Sequence, residues 1–208
     1  TCTLAEKHAA FERTGFNIFI SQGDQKRIMQ MASVAVLNRD IDQAIITELD
    51  TATQDTGAAV TADINLVMKS LTILGNAEVP TWEEDKMFGV ITPAFRAYLM
   101  QNTEFSSGDY VDIKPFNGPV KKMFRWSGVN WMVHPNLTGV GTSSEKCYLF
   151  HQDSMGHASN TADMDVKVGY DEKQDTSWSR ATLFHNAKLL QNTGVVQMLH
   201  DASAYVAT

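Results

Sequence analysis

The chain has few cysteines and no long run of apolar residues. Its 208 residues include two cysteines, Cys2 and Cys147. Two distant thiols could form one disulfide, but they do not make the framework of a small secreted protein, so we expect a reducing compartment. No stretch reaches the roughly 18 consecutive apolar residues of a membrane helix. No secretory signal is recognisable either, and we expect no membrane association.

Positive charge is also scarce. The 17 Lys and Arg residues are outnumbered by 24 Asp and Glu, which gives a formal net charge of −7. An acidic surface repels phosphate backbones, so nucleic-acid binding by the whole surface is disfavoured. Lys121, Lys122 and Arg125 form a small basic group. This group is far smaller than a dedicated nucleic-acid footprint, and a solvated face is the simpler interpretation.

Familiar catalytic motifs are absent. The sequence contains no HExxH, GxSxG, GxGxxG or P-loop pattern, which removes the usual local signs of a zinc protease, a serine hydrolase or a nucleotide site. Glu83-Glu84-Asp85 and Asp171-Glu172 fall in expected loops, whereas glycosidase carboxylates face each other across a cleft. We therefore predict no catalytic, cofactor-binding or metal-binding residues and no cofactor.

One short segment supports a competing interpretation. His151, Asp153 and His157, with Cys147 nearby in sequence, could supply metal ligands. Ser154 beside His151 and Asp153 also superficially resembles a catalytic triad. However, a metal site needs three or four converging donors, and a triad is normally drawn from separate segments. The end of a strand followed by a turn explains the cluster equally well.

Helical periodicity is strongest between about Asp24 and Asp50,. At about 1.5 Å per residue this segment would form a rod of roughly 40 Å. A second helix is predicted over 61–74, capped by Thr61 and ended by Gly75. The apolar face of the long helix is predicted to contain Ile28, Met31, Val34, Ala35, Leu37, Ile41, Ile45 and Leu49.

Shorter elements complete the prediction. Thr92 is an N-cap for a helix over Pro93–Gln101, which starts with proline at its first position,. Residues 4–13 predict a helical segment, and Ser154 would cap a short helix over Met155–Ala158. The tryptophans Trp126, Trp131 and Trp178 could stack on a ligand but are more typical of a core or an interface. Strands are predicted at Met87–Ile91, Val129–His134 and Lys146–Gln152.

The stretch from Asp165 to Asp201 predicts a long β-ribbon. Its residues alternate between two faces of a strand: one face has Trp178, Arg180, Thr182 and Phe184, and the other has Ala181, Leu183, Ala187 and Leu189,. A turn signal at 191–194 then precedes a short apolar run. A ribbon with few catalytic side chains offers backbone edges and large faces for packing, which suits a building block. The whole pattern indicates a mixed α+β fold.

An ordered set of segments resembles the major capsid protein of tailed bacteriophages, the Hong Kong 97-type shell protein. The resemblance covers most of the chain from about Asp24 onward, and no single motif decides it. The segments are Asn38–Ile46, Asn76–Pro80, Gly89–Ala94, Gly139–Gly141, Lys146–His151, Met155–Ala158, Ser177–Thr182 and Ala187–Gln191.

The resemblance implies a Hong Kong 97-like capsid fold with a peripheral and an axial domain. Residues 1–55 would form the peripheral domain with its spine helix at about 24–50, and 56–160 the axial domain. Residues 161–208 would be the return ribbon of the peripheral domain. Family members usually carry an N-terminal arm and an extended hairpin before the spine helix, whereas about 20 residues precede it here. No covalent cross-linking between subunits is inferred.

The implied function is structural rather than enzymatic. Many copies, as pentamers and hexamers, would form an icosahedral shell around double-stranded DNA without sequence-specific binding. Scaffolding, portal or decoration proteins are possible partners, and the shell would form in the host bacterial cytoplasm and persist in the virion. The loop 102–120 and the turn 139–144 are the candidate subunit contacts. The alternatives are an encapsulin-like nanocompartment shell protein and a small metal-dependent hydrolase.

Overall fold

The computed structural model describes residues 2–20, 23–102 and 123–205. Within these ranges the chain forms four α-helices and eight β-strands. The helices are α1 (Gly15–Ile20), α2 (Gln25–Leu49), α3 (Ile64–Asn76) and α4 (Pro93–Gln101). The strands are β1 (Ala5–Thr14), β2 (Met87–Ile91), β3 (Met123–Trp126), β4 (Val129–Val133), β5 (Glu145–His151), β6 (Met155–Asp171), β7 (Thr176–Leu189) and β8 (Val195–His200). No helix in the described part of the chain is long and apolar enough to cross a membrane.

The chain divides into two compact units. The first comprises Thr1–Ile45 and His157–Lys188, and the second comprises Ile46–Gly156 and Leu189–Thr208. A three-stranded sheet of order β1-β7-β6 belongs to the first unit, and a five-stranded sheet of order β3-β4-β2-β5-β8 belongs to the second. Strand β8 belongs to the five-stranded sheet, whereas β6 and β7 belong to the three-stranded sheet. After β7 the chain joins the second unit, because β8 pairs antiparallel with β5.

The N-terminal segment is a strand, and the helix predicted over residues 4–13 is wrong. β1 pairs antiparallel with β7 along its whole length, from Ala5 opposite His185 to Thr14 opposite Thr176. The continuous backbone ladder outweighs the weak helical preference of an Ala- and Glu-containing segment. A short helix, α1, follows β1.

Helix α2 confirms the predicted long helix. The carboxylate of Asp24 accepts a hydrogen bond from the Arg27 backbone N–H at 3.2 Å, which satisfies one of the free donors of the first turn,. In the first unit, Leu37 and the partly buried Ile41 pack with Ala9, Ala181 and Leu183. The predicted apolar face is partly wrong, because the side chains of Ile28, Met31 and Val34 are exposed. The buried face instead contains Met29, Ser33, Leu37, Ile46 and Leu49.

The second unit is built around its five-stranded sheet. β2 runs parallel to β4 and antiparallel to β5. Its fully buried side chains include Met87, Ile91, Trp131, Tyr148, Leu149 and Met198. The predicted strands β2, β4 and β5 are confirmed to within one residue at each end, whereas β3 was not predicted.

Helix α4 begins as predicted. The Thr92 hydroxyl accepts a hydrogen bond from the Phe95 backbone N–H at 3.2 Å, and proline occupies the first turn. Helix α3 begins later than predicted, since Asp63 rather than Thr61 is its N-cap. Gly75 lies inside α3 rather than ending it.

The segment after β5 also differs from the prediction. The helix predicted over Met155–Ala158 is wrong, because β6 starts at Met155 directly after a 3₁₀ turn at Gln152–Ser154. The predicted turn at 139–144 is confirmed, with Gly139 and Gly141 both at φ 77°. A positive φ is readily adopted by glycine because it has no Cβ.

Candidate functional site

The histidine cluster predicted as a rival metal site does not assemble. The ring of His151 lies 3.8 Å from the Glu83 carboxylate and 3.7 Å from that of Asp153. Lys86 contacts the same two carboxylates, at 2.8 Å and 3.8 Å. A lysine ammonium among these carboxylates provides the positive charge that a metal ion would otherwise supply. The arrangement holds two surface turns together.

The other residues proposed for that cluster lie elsewhere. His157 belongs to the first unit, where its ring lies 5.6 Å from that of His185. Cys147 contacts the Thr92 hydroxyl at 3.9 Å. The buried Ser154 donates its hydroxyl hydrogen bond to the His151 backbone carbonyl at 2.5 Å rather than to the imidazole. The Ser154 hydroxyl is therefore not hydrogen-bonded to a general base, as a catalytic serine would be.

The first acidic run is paired with cations. Glu84 and Asp85 both contact Arg125. The hydrogen bond from Lys86 holds the pKa of Glu83 below its usual range. In the second run, the Asp171 carboxylate accepts a hydrogen bond from the backbone N–H of Lys173. Arg125 belonged to the small basic group of the sequence, whose Lys121 and Lys122 lie outside the described residues. None of these contacts forms the opposed carboxylate pair of a glycosidase.

The three tryptophans have structural contacts. Trp131 is fully buried and donates its indole N–H to the Trp126 carbonyl at 3.0 Å. Trp178 lies against Gly169, where an added Cβ would be 2.4 Å from its ring. These contacts favour the core interpretation over ligand stacking.

A polar cluster that sequence reasoning missed lies on the five-stranded sheet. Glu145, Cys147 and His200 are fully buried, and one ligand atom of each lies within 4.8 Å of the others. Burial raises the pKa of the Cys147 thiol above its usual range. Burial also lowers the pKa of His200, an effect that the Glu145 carboxylate opposes. The sequence shows that Glu145 and Cys147 are two positions apart. It does not show the strand register that places His200 opposite Glu145.

A second buried polar contact belongs to the first unit. His185 Nε2 lies 2.9 Å from Asp40 Oδ2, which joins β7 to α2. Lys7 of β1 lies 3.5 Å from the same carboxylate oxygen. Partial desolvation of the exposed His157, together with the neighbouring His185, lowers the pKa of His157 below its usual range. These groups connect three elements of the unit electrostatically.

An apolar groove, which we call the α2 groove, opens on the surface of the first unit. Its cavity volume is about 520 Å³. The exposed side chains of Met31 and Val34 contribute to it, and Val166 of β6 forms the opposite wall. The complete lining is Gln30, Met31, Val34, Ala35, Asn38 and Val166. Apolar grooves at the surface are typical of protein contact sites.

The two predicted contact segments differ in what can be described. Residues 103–120 of the predicted loop lie outside the described residues. The turn 139–144 is ordered by hydrogen bonds from the Gly141 N–H to Glu145 at 2.8 Å and from the Ala202 N–H to the Thr142 carbonyl at 3.0 Å. Val140 at its tip is exposed.

Comparison with known proteins identifies the family. A family model described as "Phage capsid protein" matches residues 1–202. No curated protein matches the chain in sequence.

Solved structures share the fold. A chain of Mycobacterium phage Che8 is 19% identical with a TM-score of 0.76, covering 93% of this chain and 70% of its own. The capsid of an empty GTA particle is 12% identical with a TM-score of 0.69, covering 96% of this chain and 74% of its own. The holo-SrpI encapsulin complex from Synechococcus elongatus PCC 7942 is 12% identical with a TM-score of 0.65, covering 99% of this chain and 77% of its own.

These findings confirm the resemblance inferred from the ordered segments. The mixed helix and sheet architecture is the Hong Kong 97-like fold, which phage capsid and encapsulin proteins share. The family match extends over nearly the whole chain and favours a major capsid protein over an encapsulin. The chain belongs to the phage capsid protein family.

Proposed function

We propose that this protein tiles a closed icosahedral shell around the double-stranded DNA of a tailed bacteriophage, as pentamers and hexamers, without catalytic activity. The observation that carries the proposal is the capsid family match over residues 1–202. Closed symmetry allows one modest contact between identical subunits to be repeated many times. The role is therefore mechanical, and it depends on surfaces rather than on an active site.

The two compact units support the expected domain layout. The first unit, with most of α2 and the three-stranded sheet, would be the peripheral domain. The second unit, with the five-stranded sheet, would be the axial domain that meets its copies around the symmetry axes. In this assignment the spine helix α2 runs from one domain into the other.

The α2 groove supports a contact between identical subunits. Met31 is 63% exposed in the isolated chain, and Val34 and Val166 extend the apolar surface beside it. A shell of identical copies covers such a surface with a second copy of the chain, which removes apolar area from water. The turn 139–144 of the second unit is our other candidate contact.

The charge balance supports enclosure of DNA rather than tight binding. The net charge of −7 disfavours strong, sequence-independent attachment to phosphates,. Scaffolding, portal and decoration proteins are the partners that such a shell would use. Assembly would take place in the cytoplasm of the bacterial host, and the protein would persist in the virion.

An encapsulin-like shell is the second candidate, because the SrpI encapsulin complex shares the fold. Negative-stain electron microscopy of the purified full chain tests both. We expect closed shells, rings of five or six subunits, or sheets, and particles from the natural source should contain DNA. Particles that hold protein cargo and no DNA would instead support the encapsulin candidate. A chain that stays monomeric at every concentration would contradict both.

A further inference from the structure

Strands β5 and β8 place three metal-binding side chains on one face of the five-stranded sheet. Glu145 and His200 are direct partners in the antiparallel register, and Cys147 follows Glu145 at the next position on the same face,. The carboxylate, thiol and imidazole ligand atoms all lie within 4.8 Å of one another. All three residues are fully buried. The register thus brings together an oxygen, a sulfur and a nitrogen donor from two strands.

Two atoms of this cluster, Glu145 Oε1 and His200 Nδ1, are buried without a hydrogen-bond partner. Glu145 Oε2 accepts a hydrogen bond from the Gly141 N–H at 2.8 Å. Glu145 Oε1 is buried and has no hydrogen bond, although it lies 3.1 Å from His200 Nε2. A buried carboxylate oxygen without a partner costs free energy unless another group compensates its charge. The carboxylate of Glu145 therefore lies beside the Cys147 sulfur and the His200 imidazole with one oxygen unpartnered.

We propose that Glu145, Cys147 and His200 bind a zinc ion. The three side chains supply the oxygen, sulfur and nitrogen donors that zinc accepts in tetrahedral sites. A sulfur ligand disfavours magnesium and calcium, which prefer oxygen. The Thr92 hydroxyl borders the cluster, 3.4 Å from His200 Nε2 and 3.9 Å from Cys147 Sγ, and a water molecule would supply the fourth ligand,.

The charges of the proposed site balance. Zinc binds a thiolate, so the Cys147 S–H bond breaks, the sulfur keeps the electron pair, and the proton leaves to solvent. One thiolate and one carboxylate then neutralise the two positive charges of the ion, while the imidazole binds as a neutral ligand. Burying a group of charges costs the least free energy when their sum is zero. The ion would also compensate the free oxygen of Glu145.

A cleft in the second unit reaches one residue of the cluster, Glu145. It has a volume of about 350 Å³, and Thr92 and Glu145 form part of its wall. Pro93, Ala202 and Tyr205 line the same cleft, which extends from the surface of the second unit to the Glu145 side of the cluster. Bound zinc would tie the end of β8 to β5 near the start of α4. This inference concerns one subunit and does not depend on shell formation.

Cobalt binding by the reduced full chain tests the proposal. Cobalt(II) replaces zinc in such sites and reports a sulfur ligand by a thiolate-to-metal charge-transfer band. We expect metal-free protein to bind one equivalent of cobalt, to show that band, and to lose it when zinc is added. Zinc should raise the Tm by at least about 4 °C because it binds only the folded chain. Absence of the charge-transfer band in the wild-type protein would overturn the proposal, whatever the variants do.

Variants identify the ligands. Cys147→Ser should abolish the charge-transfer band and weaken zinc binding at least about tenfold. Cys2→Ser changes the other cysteine in the chain and should leave the charge-transfer band and the zinc affinity unchanged. Glu145→Gln and His200→Gln should weaken zinc binding while circular dichroism confirms that they fold. A band retained in Cys147→Ser, or lost in Cys2→Ser, would place the metal at another site and refute the assignment.

Discussion

The Gln197 side-chain amide donates a hydrogen bond to the backbone carbonyl of Asp50 at 2.9 Å. The same Nε2 atom donates to the Ala52 carbonyl at 2.8 Å. Both carbonyls follow the end of α2, where the last turn of a helix leaves acceptors without intrahelical partners. A buried side chain of β8 therefore terminates the long helix, although 147 positions separate Gln197 from Asp50.

Replacement of this amide should destabilise the protein. Gln197→Met keeps the approximate shape and removes both donors, so two carbonyls lose their partner. We expect the free energy of unfolding to fall by about 1–3 kcal/mol. Urea denaturation followed by tryptophan fluorescence measures it. The control Gln152→Met changes an exposed glutamine and should alter stability by less than about 0.5 kcal/mol. Equal stability of the two variants would show that the Gln197 contacts contribute little.

Overpacking at Gly89 should destabilise the second unit. Gly89 lies opposite Trp131 in the parallel pair of β2 and β4, and an added Cβ would lie 2.4 Å from the indole ring. Gly89→Ala should therefore cost about 1–3 kcal/mol of folding free energy, since Trp131 is fully buried and has little room to move,.

Gly75→Ala is the matched control for that variant. Gly75 lies in α3, and an added Cβ would meet no atom within 4 Å. Alanine has the higher helix propensity, so we expect a gain of up to about 1 kcal/mol. Thermal unfolding followed by circular dichroism should separate the two variants in opposite directions. A Gly89→Ala protein as stable as the wild type would show that the Trp131 side chain can move to accommodate the added methyl group.

Acidification should weaken the first unit through His157. The pKa of His157 is lowered from its ordinary value of 6.5, by partial desolvation first and by His185 second. The unfolded chain therefore binds this proton at a higher pH than the folded chain does. Stability is unaffected well above 6.5, falls as the pH drops through that value, and stays reduced below the folded pKa,.

The variant His157→Gln tests this pH dependence. It removes the titrating group that faces His185, while the contact of His185 with Asp40 at 2.9 Å remains. We expect the Tm to fall less between pH about 7.5 and about 5.5 than in the wild-type protein. The control His134→Gln changes a histidine of the second unit. Its Tm should fall with acidification as much as that of the wild-type protein. An unchanged pH profile in His157→Gln would assign that sensitivity to other groups.

Charge placed in the α2 groove should block assembly. Val34 is 37% exposed and lines the groove, whereas Val36 is 41% exposed and lies outside its lining. Val34→Glu would bury a carboxylate against a second copy of the chain, which is unfavourable without a partner charge. We expect folded Val34→Glu protein without shells and Val36→Glu protein with shells, as seen by electron microscopy. Shells formed by Val34→Glu would show that the groove stays open in the assembly.

Local signals predicted many of the elements. The Thr92–Pro93 pair marked the start of α4 correctly because capping and a fixed proline φ act within one turn,. The periodicity of 24–50 predicted α2, but not which side of it is buried: Ile28 and Met31 are exposed although both are apolar. Burial depends on which element packs against a helix, and that information is not local.

The sequence alone determined the long helix, the α4 start, strands β2, β4 and β5, and the ordered segments that resemble phage capsid proteins. Only the tertiary structure decided that residues 5–14 form a strand and that β8 joins the five-stranded sheet. It also decided that Glu145, Cys147 and His200 converge. Capping and periodicity act over a few neighbouring residues, whereas these strand pairs join positions more than 40 residues apart through a register that the whole fold sets,.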